Sequence, residues 1–271
     1  MPIVTLSTDI GLYDYIPGAI KGQLLSVDNT LNIVDITHAL SPFDYTQTAY
    51  ICNNAFKYFP PGTIHILIVN LFEISPKHFL IAKHNGQYII CPDNGILTMI
   101  TGAMPDSINA VLVPSENGIG TLQFTNAIAN VLKQIKEGKN LEEIGEVIKQ
   151  IEEKYPPRST IGADWLEGQI IFIDNFENVV VNITKEEFEE HRRGRHFHIS
   201  FMRNEMINVL SENYASVSPG EKLAWFNAAG FLEISVNKGN MAGLFGLRRF
   251  TNDAGPLQNK WFYQTVRIYF V

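Results

Sequence analysis

The stretch Ile3-Val4-Thr5-Leu6 is a nearly apolar run of β-formers that ends in Ser7-Thr8-Asp9-Ile10-Gly11. A run of this kind reads as a strand buried on both faces of a parallel sheet. In open α/β sheets ligands lie outside the carboxyl ends of the strands, which puts Asp9 on that rim. A carboxylate there can accept hydrogen bonds from two hydroxyls, as a ribose 2′,3′-diol offers them. The same carboxylate can cap the turn or helix that follows, and both readings stand at this point. Thr37-His38 closes a second apolar run, Leu31–Ile36, and Asn70 closes a third, Thr63–Val69. Asp93-Asn94 follows Gln87–Cys91 and suits either a helix cap or a ligand. His65 lies inside the third run and reads as a core residue. His196 and His198 could both ligate a metal, but no further ligand cluster accompanies them, so no metal is expected.

These groups need a scaffold, and the remaining sequence describes one. Ala19–Ser26 reads as a short helix. Ser41-Pro42-Phe43-Asp44 opens another with an N-cap and an early acid, running to Tyr58 ahead of Phe59-Pro60-Pro61-Gly62. His78–His84 and Gln87–Cys91 flank Asn85-Gly86, a type I′ hairpin signal. Ile96–Ile100 and the strand Ala110–Val113 follow, and Phe124–Lys136 and Leu141–Lys154 carry apolar residues at helical spacing. Pro156-Pro157 stops the helix and marks a boundary between residues 1–157 and 158–271. Beyond it the runs Glu167–Asp174, Val179–Ile183, His196–Phe201, Leu223–Asn227, Leu232–Val236 and Phe262–Phe270 predict an antiparallel, barrel-like β-domain. The first part alternates strand and helix and is therefore α/β. The basic stretch His191–His198 follows Glu186, Glu187, Glu189 and Glu190 and reads as a solvated loop or hairpin tip.

Composition narrows the function. The chain has 271 residues, 45% of them hydrophobic and 18% charged, enough to bury a sizeable core. A net charge of -7 argues against a nucleic-acid or anionic-membrane surface. Two separated cysteines, Cys52 and Cys91, do not make a disulfide framework and suit a reduced interior. With no signal-peptide pattern and no window long enough to span a bilayer, the expectation is a cytoplasmic protein. Glycine-rich dinucleotide and Walker loops, His-Glu-x-x-His and Gly-x-Ser-x-Gly are all absent from the sequence.

Six stretches taken together are specific: Ser7–Gly11, Val34–His38, Phe59–His65, Pro92–Thr98, Asp174–Asn178 and Asn227–Ile234. In order and spacing they resemble the S-adenosylmethionine hydroxide adenosyltransferase family, relatives of the fluorinase and chlorinase enzymes. The resemblance implies a Rossmann-like N-terminal domain and a C-terminal β-barrel domain. It also implies a homotrimer whose ligand sites lie between the N-domain of one subunit and the C-domain of its neighbour. By the same resemblance Asp9 holds the ribose hydroxyls, and Asp174, Phe176 and Asn178 contact the methionine or adenosine part. The loop of Asn227, Ala229 and Phe231 meets the adenine edge, mainly through backbone groups. No cofactor is implied beyond S-adenosylmethionine itself, as substrate or ligand.

The family reaction displaces methionine from ribose C5′. The leaving group is a neutral thioether departing from a sulfonium, so no general acid is needed. Water is the weak partner and must be aligned and deprotonated. The family does this with an Asp, an Arg and a His. Here Asn70 stands for the Asp, Lys77 for the Arg and Gln123 for the His, within Val69–His78 and Thr121–Asn126. Neither amide takes a proton at neutral pH, and Lys lacks the planar guanidinium fork. Two main functions follow, with adenosyl transfer to another nucleophile as a lesser third. One is hydrolysis of S-adenosylmethionine to adenosine and methionine, slowed or with a rearranged water site. The other is non-catalytic binding of adenosine or S-adenosylmethionine. Glu73, His78 and His38 are the candidates to replace the missing base, and nothing in the sequence specifies a halide pocket.

Overall fold

A computed structural model describes residues 3–73, 77–105, 107–113, 120–202, 205–247 and 264–271. It divides into two units, Met1–Pro156 and Pro157–Val271, each with its own core. Residues 74–76 of the Asn70–His78 segment, and 262–263 of the last expected strand, lie outside the described residues.

The first unit runs β1 (Ile3–Thr8), α1 (Ile16–Val27), β2 (Asn32–Thr37), α2 (Tyr45–Phe56), β3 (Ile64–Ile68), β4 (His78–His84), β5 (Gln87–Pro92), α3 (Ile96–Thr101), β6 (Ser107–Leu112), α4 (Thr121–Lys136) and β7 (Glu146–Val147). Its sheet has the order β2-β1-β3-β5-β4-β6-β7. The β2, β1, β3 and β5 strands are parallel, and β4, β6 and β7 add antiparallel. The apolar runs are explained by coverage of both faces. Val4, Leu6, Ile64, Ile66 and Ile68 pack with Ile20 and Leu24 of α1 and Phe124 and Ile128 of α4. Leu67, Val69, Ile89 and Cys91 pack on the other side with Cys52 and Phe56 of α2 and Leu97 of α3. Each fully buried Leu or Ile contributes roughly 1.5–3 kcal/mol.

The chain leaves β1 for β2 on one side and returns to β3 on the other. The carboxyl ends of β1 and β3 therefore flank a topological switch point, where such sheets open a crevice. The hairpin forms at Asn85-Gly86, both with positive φ (+49° and +76°). Leu141–Lys154, expected as a helix, is not one: it holds a single 3-10 turn, Leu141–Glu143, and then β7. Gly145 has φ +87°, and a Cβ there would run into the carbonyl of Ala110. Ile148 and Ile151 then pack on the α2–α3 side of the sheet.

The second unit comprises β8 (Thr160–Ile161), β9 (Trp165–Ile173), β10 (Val179–Thr184), α5 (Lys185–Arg192), β11 (Phe197–Met202), β12 (Glu205–Ile207), β13 (Lys222–Phe226), β14 (Phe231–Val236), α6 (Met241–Leu244) and β15 (Thr265–Phe270). The order is β12-β11-β15-β9-β10-β14-β13, with β8 on β9. The two ends of this path meet through Lys222 Nζ and Glu205 Oε1 at 2.9 Å, which makes an antiparallel, nearly closed barrel. Its interior holds Leu166, Ile173, Val181, Ile199, Ile234 and Ile268. The basic stretch His191–His198, expected as a loop or hairpin tip, instead runs from the last turn of α5 to the start of β11, and the acidic residues before it are helical. Thr184 Oγ1 accepts from Glu187 N at 3.2 Å and Glu187 Oε2 from Thr184 N at 2.8 Å, a capping box that starts α5.

Candidate functional site

In the first unit the rim side chains gather around Asp9. Its backbone N donates to Ile68 O at 3.2 Å, fixing it against β3. Its Oδ2 accepts from Asn70 N at 2.7 Å. Asn70 has φ +53°, a left-handed conformation that Asn tolerates better than most residues. That conformation belongs to the chain reversal that turns its N–H toward Asp9. Burial pushes the Asp9 carboxyl above the usual Asp range, partly offset by the N–H groups of Asn70 and Asp9. The site thus holds a half-buried carboxylate at the switch point, the placement a hydroxyl-bearing ligand needs.

The Asn70 side chain extends this cluster. Its Nδ2 donates to Tyr45 Oη at 3.2 Å and to Glu73 Oε2 at 2.7 Å. Its Oδ1 is a buried acceptor without a donor among the described residues. Lys154 Nζ stands 4.2 Å from the Tyr45 ring centre, bringing a cation to the same cluster. Burial raises the Tyr45 hydroxyl pKa, and Glu73 and Asp9 add to the rise, so the phenol stays protonated. Tyr45 was not among the sequence candidates. It opens α2 directly after Asp44, whose side chain accepts from Gln47 N at 3.0 Å.

The other candidates of this unit are occupied elsewhere. His38 Nδ1 lies 2.9 Å from Thr8 Oγ1, and its Nε2 is 3.2 Å from Asp35 Oδ1. His78 Nε2 pairs with Asp93 Oδ2 at 2.9 Å. Asn94 is structural, with Nδ2 on Val69 O at 3.0 Å and Oδ1 capping Ile96 N at 3.3 Å. His65 is a core residue, 2.8 Å from Thr5 Oγ1 and stacked on Phe56. Gln123 is exposed, and its Oε1 accepts from Gly120 N at 3.1 Å, closing the start of α4. Lys77 is exposed, and its carbonyl accepts from Val113 N at 3.0 Å. No described contact joins Gln123 or Lys77 to Asp9 or Asn70.

In the second unit the Asp174–Asn178 turn leaves β9 with its carboxylate facing inward. Asp174 Oδ1 accepts from Phe176 N and Asn178 N, both at 2.8 Å, and Oδ2 from Asn178 Nδ2 at 2.9 Å. This brings Asp174 and Asn178 together and leaves Phe176 72% exposed. Asn178 Nδ2 also donates to Tyr214 Oη at 2.8 Å. Tyr214 Oη donates to Glu233 Oε1, a carboxylate 5% exposed that also receives Trp225 Nε1 at 3.0 Å. Glu233 Oε2 accepts from Asn227 Nδ2 at 3.2 Å. In the Asn227–Phe231 loop, Asn227 Oδ1 accepts from Ala229 N at 3.0 Å and Phe231 N at 3.2 Å. Gly230 N donates to Asn227 O at 2.8 Å. The loop borders a cavity of about 490 Å³ lined by Ala229, Gly230, Phe231, Thr184, Lys185, Glu186 and Glu189. Tyr214 and Glu233 escaped the sequence reading. The signal available was a lone carboxylate inside the apolar run of β14, opposite Trp225 in the β13–β14 register.

Among the described residues no helix is long and apolar enough to cross a membrane, and no three or more His, Cys, Asp or Glu converge as metal ligands.

Comparison with known proteins agrees with this architecture. Residues 4–145 match the SAM hydroxide adenosyltransferase N-terminal domain, and residues 168–252 match its C-terminal domain. The (R)-S-adenosyl-L-methionine hydrolase of Methanocaldococcus jannaschii is 27% identical, the match covering 91% of this chain and 93% of that protein. A fluorinase from an Actinoplanes species is 22% identical over 91% of this chain and 95% of its own. A crystal structure of a conserved protein from Thermotoga maritima has the same fold, with TM-score 0.79 and 24% identity over 98% of this chain and 99% of that one. The chain belongs to the SAM hydroxide adenosyltransferase family.

Proposed function

We propose that this protein hydrolyses S-adenosylmethionine to adenosine and methionine. The observation that carries the reading is the Asp9 carboxylate at the β1–β3 switch point, held by Asn70 N at 2.7 Å, in a chain that matches the family over both units. Asp9 would take the ribose hydroxyls, with water attacking C5′ and the electron pair of the C5′–S bond leaving on sulfur. Asp174, Phe176 and Asn178 would contact the methionine or adenosine part. The adenine edge would meet backbone groups of the Asn227–Phe231 loop, whose shape is fixed by bonds from Ala229 N and Phe231 N to Asn227 Oδ1. S-adenosylmethionine is then substrate, with no further cofactor, and the assembly is a homotrimer with ligand shared between neighbouring copies. Light scattering that returns a monomer rejects the trimer.

A second reading, ligand binding without turnover, is favoured by the positions of Lys77 and Gln123, which no described contact brings to Asn70. Incubation with S-adenosylmethionine, with adenosine followed by chromatography, separates the two. Release well above the buffer rate supports hydrolysis. Measurable binding with no release supports the second reading.

A further inference from the structure

Of the three side chains able to replace the missing base, the structure singles out one. His38 is bound to Thr8 through Nδ1, and its Nε2, 3.2 Å from Asp35 Oδ1, is buried without a hydrogen bond among the described residues; His78 is held by Asp93. Glu73 alone of the three reaches Asn70, with Oε2 2.7 Å from Asn70 Nδ2. Asn70 in turn is bonded to Asp9 through its backbone N. A carboxylate thus lies one residue away from the proposed ribose anchor. Beside it sits the buried Asn70 Oδ1, an acceptor lacking a donor among the described residues. A carboxylate and an amide oxygen are both acceptors, and a water molecule has two protons to give them.

Resting on the hydrolase reading, we propose that Glu73 is the general base, taking the proton of the attacking water while Asn70 Oδ1 holds the other. The step balances. The water oxygen bonds to C5′, the C5′–S pair leaves on sulfur as a neutral thioether, and the proton passes to the Glu73 carboxylate and then to solvent. The base has moved three positions along the same loop, from the residue at the end of β3 to Glu73.

The test compares wild-type protein, Glu73→Gln and Glu73→Ala for adenosine release from S-adenosylmethionine and for adenosine affinity. The expected result is a kcat lowered by about 100- to 10,000-fold in both variants. Adenosine affinity should be retained, the acidic limb of the kcat–pH profile lost, and Glu73→Ala partly rescued by added formate. Full kcat in Glu73→Gln overturns the role of Glu73 while leaving the hydrolase reading intact. No release by the wild type overturns that reading, and the role falls with it.

Discussion

The Tyr214 hydroxyl donates to Glu233 Oε1 while accepting from Asn178 Nδ2. Burial, and the Glu233 carboxylate beside it, push the Tyr214 pKa up, which keeps the donated proton on the phenol. One tyrosine therefore links the Asp174–Asn178 turn to the strand that carries the Asn227–Phe231 loop. A buried carboxylate with several donors fixes geometry at the cost of tolerating little change. Tyr214→Phe keeps the ring against Trp225, 5.0 Å between centres, but leaves Asn178 and Glu233 each short of a partner. It should cost about 1–3 kcal/mol of stability and weaken adenosine binding. Thermal unfolding and calorimetric titration check this, and unchanged values in both would mean that the two loops hold their shape without the link.

Asp9 controls binding directly in the proposed site. Asp9→Ala should abolish adenosine binding. A pH effect follows from its raised pKa. Hydroxyls donate to the ionised carboxylate, so affinity should be full at neutral pH and fall as pH drops through the raised value. That decline begins above the ordinary 3.8 of Asp. Titration calorimetry between about pH 4 and 7 measures it. Affinity that is flat over this range, or unchanged in Asp9→Ala, would place the ribose elsewhere.

Much of the fold could be read from residues because burial on both faces leaves few polar residues in a strand. The strands β1, β3 and β14 are of that kind, and Asn85-Gly86 names its own turn. Asp9 was legible as a rim residue for the same reason, since a carboxylate that ends a buried strand has few other places to go. Helical spacing misled at Leu141–Lys154, because spacing does not register that Gly145 must adopt φ +87° against the edge of β6. It also missed α5, whose single buried apolar residue is Phe188. There the local signs were the capping pair Thr184 and Glu187 and the order of charges, acidic at Glu186 and Glu187 and basic at His191 and Arg192. The neighbours of Asn70 were not legible, because Tyr45 lies 25 positions away and meets it only through the sheet.

The Gly145 position gives a stability prediction. Gly145→Ala adds a Cβ that collides with the Ala110 carbonyl and forces a positive φ on a residue that resists it. Destabilisation of about 2 kcal/mol or more is expected. Urea unfolding followed by circular dichroism should show it, and a midpoint equal to wild type would mean that β7 is not held as described.

Restoring the family Asp should not restore strong activity. In Asn70→Asp the new carboxylate faces Glu73, whose Oε2 now lies 2.7 Å from the amide nitrogen it replaces. Two carboxylates that close cannot both stay ionised, so one takes a proton and the charge gained is largely lost. Adding Gln123→His should not help either, because Gln123 closes the start of α4. Adenosine release from the single and double variants measures this. A large gain from Asn70→Asp alone would show that the water is held by the older arrangement after all.

His65 supplies a pH dependence of folding independent of the site. It is fully buried against Phe56, and burial lowers its pKa from 6.5 to about 4. The unfolded chain therefore binds this proton first as pH falls. Stability from His65 is complete above about pH 6.5 and is lost as pH drops toward 4, by about 3 kcal/mol in all. His65→Phe keeps the stacking but strands Thr5 Oγ1, costing about 1–3 kcal/mol at neutral pH. The variant should then lose less on acidification than wild type, so that the two urea midpoints, followed by circular dichroism, converge toward pH 4. Parallel curves across that window would mean that His65 accepts a proton inside the fold at no cost.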